Sequence, residues 1–84
     1  MQLCYITFRS VTPAQRAEQL LKRSGFSCML RRTPRRMERQ GCSYGLQLPL
    51  EDVRRSVQLL KQGGISYRKV YLLGDKERAE ELTL

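Results

Sequence analysis

The chain contains no histidine and only eight Asp and Glu residues. Without imidazoles a structural zinc site loses its usual nitrogen ligand, and proton transfer near neutral pH loses its commonest carrier. Cysteine is scarce too. Cys4, Cys28 and Cys42 form no C-x-x-C pair, and an odd number argues against a disulfide framework. No run approaches the roughly 18 apolar residues of a membrane span, and MQLCYITFRS lacks the basic start and long apolar stretch of a secretory signal. These absences predict a soluble cytoplasmic protein without metal or cofactor. Cysteine is the side chain left for chemistry.

Positive charge is what the chain has in excess. Sixteen Lys and Arg against eight Asp and Glu give a formal charge of +8 over 84 residues, which attracts anions such as nucleic acid, phosphorylated ligands or acidic protein faces. The charge is uneven: Arg31, Arg32, Arg35, Arg36 and Arg39 face only Glu38, whereas the residues from Gly74 onward hold Asp75, Glu77, Glu80 and Glu81. At this length a single small domain is expected, spanning 1–73, with a modest core and a polar tail over 74–84 that frays or forms a short helix.

Along the chain, LCYITF at 3–8 has the Tyr, Ile, Thr and Phe of a half-buried strand. Thr12-Pro13-Ala14-Gln15 matches a helix start, with Thr12 as cap, Pro13 in the first helical position and Gln15 completing a capping box. Ala14, Ala17, Leu20 and Leu21 follow at helical spacing, and Gly25 stops the run. Residues 26–32 alternate Phe26, Cys28 and Leu30 on one strand face, and 42–48 alternate Tyr44, Leu46 and Leu48 before Pro49. Gly45, inside that strand, marks a bulge or a close approach by a neighbouring backbone. Leu50, Val53, Val57 and Leu60 define a second helix from Leu50 to Gln62, with Glu51 and Asp52 in its first turn and Gly63-Gly64 at its end. A fourth strand covers 65–73. Ile65 and Tyr67 are out of phase with Val70 and Leu72, so a bulge or a late start is expected there.

The order β-α-β-β-α-β, in two similar halves, predicts an α+β, ferredoxin-like sandwich. Right-handed crossovers give a four-stranded antiparallel sheet in the order 4-1-3-2 with both helices on one face. In that arrangement the end of the first strand, the start of the first helix and the start of the third strand share one edge. Cys42 is then expected near Arg9, Ser10 and Thr12, beneath the loop 33–41. A helix start offers free N–H groups and partial positive charge, and Arg35, Arg36 and Arg39 add whole charges, so a thiol there would be held as thiolate.

Blander readings stand beside this one. A lone cysteine at a strand start often serves as a small hydrophobe, and Cys4 and Cys28, set in apolar alternation, are expected to be buried and inert. The arginines could instead bind RNA or a phosphorylated ligand through guanidinium forks. Apart from Tyr44, however, no aromatic is interleaved with them as single-stranded RNA recognition would favour. Tyr44 itself reads as a core or sheet-face residue. A third reading is an interaction domain in which an exposed edge strand, the second or the fourth, pairs with a partner or makes a homodimer.

YITFRS, the Ala17, Leu20, Leu21 helix, TPRRMERQGCSYGLQL and LEDV together resemble the small family described as putative Se/S carrier-like proteins, over nearly the whole chain to about residue 73. Thr33, Pro34 and Arg35 match its T-P-R segment, and Gly41 and Cys42 its G-C element; Ser43 stands where members often place Gly. The resemblance implies a non-enzymatic carrier that takes sulfur or selenium onto Cys42 as a persulfide or selenopersulfide. It also implies two partners, a donor resembling a cysteine desulfurase and an acceptor protein, with no membrane involved.

Overall fold

The computed structural model describes residues 2–32, 44–73 and 79–82. Its elements are β1 (Leu3–Phe8), α1 (Val11–Arg23), β2 (Met29–Arg32), β3 (Tyr44–Pro49), α2 (Leu50–Gln62), β4 (Val70–Leu73) and β5 (Ala79–Leu82). The strands form one antiparallel sheet in the order β2-β3-β1-β4-β5. The first four strands therefore have the neighbours expected of them. The fifth departs from expectation: residues 79–82 of the tail, which was expected to fray or turn helical, pair with β4. Consequently β4 is an interior strand, and β2 and β5 are the edges among the described residues.

β1 lies at the centre and is buried on both sides from Cys4 to Phe8. On one side, Cys4, Ile6 and Phe8 join Leu46, Leu48 and Val70 in a single cluster with Ala14, Ala17 and Leu21 of α1 and Val53, Val57 and Leu60 of α2. Both helices thus lie on that face. Each helix ends in a Schellman motif. Phe26 N–H donates to Leu21 O and Gly25 N–H to Lys22 O in the first; Ile65 N–H donates to Leu60 O and Gly64 N–H to Lys61 O in the second. The glycines carry the positive φ this requires, +90° at Gly25 and +71° at Gly64.

The face opposite α1 and α2 is organised around Tyr5. Met29, Gln47, Tyr5, Tyr71 and Glu81 are register partners in a row across all five strands. Tyr5 is only 3 % exposed. Its ring crosses Gly45 of β3, and its hydroxyl donates to the Arg32 carbonyl of β2, 3.3 Å away. The close approach at Gly45 is therefore made by a neighbouring side chain rather than by a backbone.

Three local readings also need correction. α1 begins at Val11 with Ser10 as its N-cap, so Thr12 is its second residue and does not cap it. Pro13 occupies the third position, where its missing N–H is still among those with no intrahelical acceptor. The β2 ladder covers only 29–32; Phe26 and Cys28 precede it but do pack against the core, as their alternation implies. β4 starts late, at Val70, because Arg68 and Lys69 together oppose Thr7. Thr7 N–H donates to Lys69 O (2.8 Å), Arg68 N–H donates to Thr7 O (2.7 Å), and the Lys69 N–H is taken by the Thr7 hydroxyl (3.1 Å).

Candidate functional site

One end of the sheet gathers the ends of several strands. β1 ends there at Phe8, β2 ends at Arg32, β3 begins at Tyr44, and the irregular 66–69 stretch leads into β4. Phe8 and Arg32 are both register partners of Tyr44. The expected meeting of the end of β1, the start of α1 and the start of β3 is therefore present. Thr33, Pro34, Arg35, Arg36, Arg39, Gly41 and Cys42 lie outside the described residues; their nearest described neighbours in sequence are Arg32 and Tyr44, side by side at this edge.

Of the other expected anion-binding residues, Ser10 is exposed and extended (φ −148°, ψ 173°), and its side chain makes no capping bond to α1. Thr12 is exposed on the first turn. That turn holds no acidic residue, so nothing in it offsets the partial positive charge of the helix start. Tyr44 is half-buried against the core, in keeping with a sheet-face role.

The described cysteines are unreactive in character. Cys4 is fully buried on the helix-covered face, and burial pushes the pKa of its thiol up. Cys28 is half-buried rather than fully buried, with Sγ 4.0 Å from the Glu18 carbonyl oxygen as acceptor. Burial and then the Glu18 carboxylate push its thiol up, against a smaller opposing pull from Lys22. A thiol held protonated is a poor nucleophile.

A feature that sequence reasoning missed stands at the same end. Arg9, Ser66, Tyr67, Arg68 and Lys69 line a cleft of about 460 Å³, and Ser66 and Tyr67 also line an adjoining hollow of about 300 Å³ with Lys61, Gly64 and Ile65. The phase break after Ile65 did signal irregular backbone. The proximity of this stretch to Arg9, sixty residues away, follows from the β1–β4 pairing around Thr7 and has no local signature.

Among the described residues, no group of three or more Cys, Asp or Glu is placed to hold a metal ion, and no helix is long and apolar enough to cross a membrane. Compared with known protein families, residues 3–72 match the family described as putative Se/S carrier protein-like. The chain matches no curated protein and no solved structure.

Proposed function

Because the chain belongs to the putative Se/S carrier protein-like family, we propose that it carries sulfur or selenium on Cys42 and passes it to a partner protein. The observation that carries this reading is the register at the sheet end. Arg32 and Tyr44, which flank the Cys42 segment in sequence, are register partners, and Tyr44 is paired in turn with Phe8, three residues before an α1 start that has neither a side-chain cap nor an acid in its first turn. Cys42 is two residues from Tyr44, within about 7 Å of extended chain.

The chemistry suits such surroundings. Cys42 thiolate attacks the terminal sulfur of a donor persulfide; a bond forms between that sulfur and Cys42 Sγ, and the donor's S–S bond breaks with its electron pair leaving on the donor thiolate. The transferred sulfur keeps its proton, and one thiolate replaces another, so no external oxidant is needed. Selenium moves by the same exchange. Helix N–H groups, together with Arg35, Arg36 and Arg39, stabilise both the attacking thiolate and an ionised persulfide. In this reading the protein is a cytoplasmic carrier with a desulfurase-like donor and a separate acceptor, and not an enzyme. Its frame is a ferredoxin-like βαββαβ unit to which β5 is appended.

Binding of RNA to the arginine-rich 31–39 stretch is less well supported. Tyr5 and Tyr71, on the face opposite α1 and α2, are 3 % and 9 % exposed, so their rings are not open for bases to stack upon. Incubation with a cysteine desulfurase and free cysteine, followed by intact-mass measurement, tests the carrier reading. One added sulfur is expected on the wild type and none on Cys42→Ser. In parallel, alkylation should be fast at Cys42, with an apparent pKa below about 8.5, slow at Cys28 and blocked at Cys4. Equal sulfur loading of wild type and Cys42→Ser would sink the proposal.

A further inference from the structure

Tyr5 reaches further across the sheet than its place in the register requires. Its own rung joins it to Gln47 of β3 and, beyond that, to Met29 of β2. Its ring nevertheless leans two residues along, over Gly45, the partner of Thr7. Diagonal neighbours in a sheet lie within reach of an aromatic side chain. Glycine at position 45 opens the path, since a Cβ there would collide with Cε1 and Cδ1 of the ring. Past Gly45 the hydroxyl donates to the Arg32 carbonyl oxygen of β2, 3.3 Å away. Packing alone does not call for that hydroxyl, because phenylalanine would cover Gly45 equally well. Tyr5 is almost wholly buried, so little water competes for the bond. It thereby touches both strands that border the Cys42 segment: β2 at its last residue, and β3 three residues after Cys42.

We infer that Tyr5 is a positioning residue for Cys42: through its ring on β3 and its hydroxyl on β2 it fixes the two strand ends from which the Cys42 segment departs. The inference rests on the carrier reading, in which Cys42 is the sulfur acceptor. Arg32 and Tyr44 are register partners, so the strands stand side by side at the point of departure, and a shift of either one re-aims the segment between them. The field of a helix start falls off within its first turn, so a small displacement of a thiolate is enough to weaken its stabilisation there. Tyr5 acts through the main chain and not by exchanging a proton. Burial raises its pKa, and the hydroxyl remains a donor through the neutral range. Gly45 is its counterpart, the residue that lets the ring through.

The test is the pH dependence of Cys42 alkylation in the full chain, read by peptide mass spectrometry for wild type, Tyr5→Phe and Gly45→Ala. Tyr5→Phe keeps the ring and removes the bond to Arg32. Alkylation of Cys42 at pH 7 is expected to slow about three- to tenfold, the equilibrium worth of roughly one hydrogen bond, with its pH midpoint moved upward. Gly45→Ala, which forces the ring aside, should move Cys42 the same way. The double variant should go no further than the larger single one, because both break one link. Gly25→Ala is the control for lost stability. Alanine is strained at the φ of +90° there, past the end of α1 and at the opposite end of the sheet, so the urea midpoint should fall while the Cys42 profile stays as in wild type. An unchanged profile in Tyr5→Phe would overturn the assignment. So would an equal change in Gly25→Ala, which would make the effect a general consequence of lost stability. Alkylation needs no sulfur donor, so the carrier reading fails separately: a wild type that takes no sulfur from the desulfurase ends that reading, while the alkylation profiles still decide whether Tyr5 positions Cys42.

Discussion

At the scale of single residues, Gly45 and Tyr5 tie the sheet to the candidate site. A Cβ built on Gly45 would run into Cε1 and Cδ1 of the Tyr5 ring and lie 3.1 Å from the Ile6 carbonyl oxygen. The ring is held from β1 across β3 to β2, where its hydroxyl meets the Arg32 carbonyl. Burial raises the pKa of that hydroxyl, with Arg31 pulling weakly the other way, so it stays a protonated donor throughout the neutral range. Gly45→Ala must therefore swing the ring aside, at a cost of about 1–3 kcal/mol for overpacking, and it releases Arg32, the last described residue before the arginine-rich segment. Urea denaturation of the variant should show that loss. Adding Tyr5→Leu to Gly45→Ala should recover part of it, because the two residues are in contact and their effects are not additive. If the double variant is destabilised by the sum of the single ones, the ring does not lie over Gly45 as described. Glycine in a strand was legible as a close approach; that the neighbour would be an aromatic two strands' reach from its hydrogen-bond acceptor was not.

At the scale of elements, stop signals were more legible than start signals. α2 runs from Leu50 to Gln62 as its periodicity predicts, and both helices end at glycines whose positive φ is written into the residue type. The start of α1 was misread because Thr12-Pro13 imitates a capping signature while the backbone turns helical at Val11, and Pro is tolerated anywhere in the first turn. Alternation at 26–32 correctly reported which side chains pack inward, but burial and ladder hydrogen bonds are separate events, and only 29–32 make the ladder. The glycine stops permit a direct test. At Gly64 there is open space for a Cβ, so steric crowding is absent and the φ of +71° is the whole cost of substitution. Gly64→Ala should lower stability by about 1–2 kcal/mol, seen as a lower urea midpoint at unchanged slope. Gly64→Asn should cost less, since Asn visits the left-handed region more readily. Equal losses for the two would mean that backbone conformation is not what fixes this cap.

For the whole molecule, the fifth strand decides which edges the sheet presents. AEEL has little strand character of its own and reads from sequence as part of a polar tail; it becomes a strand because β4 offers unpaired backbone groups and an apolar row, VYLL, beside it. The candidate site was legible to the same degree and for the same kind of reason: the shared edge follows from topology, whereas the cleft at 66–69 depends on a contact sixty residues away. The family match stops at residue 72, before β5, so that strand is an addition to the matched unit. The β2 edge carries exposed Arg31 and Arg32, charges of the kind that discourage edge pairing. β4 carries no charge between Val70 and Leu73, and β5 covers it. A chain ending at Leu73 should therefore expose an apolar edge and lose the packing of Leu82 against the core, worth about 1–2 kcal/mol by burial alone. It should also lose the Lys69–Glu81 pair, which as a surface contact adds little. Sedimentation at several concentrations is expected to show stronger self-association than the full chain, and thermal unfolding a lower Tm. A shortened chain that sediments like the full one would mean that β5 is not what keeps β4 from pairing with another copy.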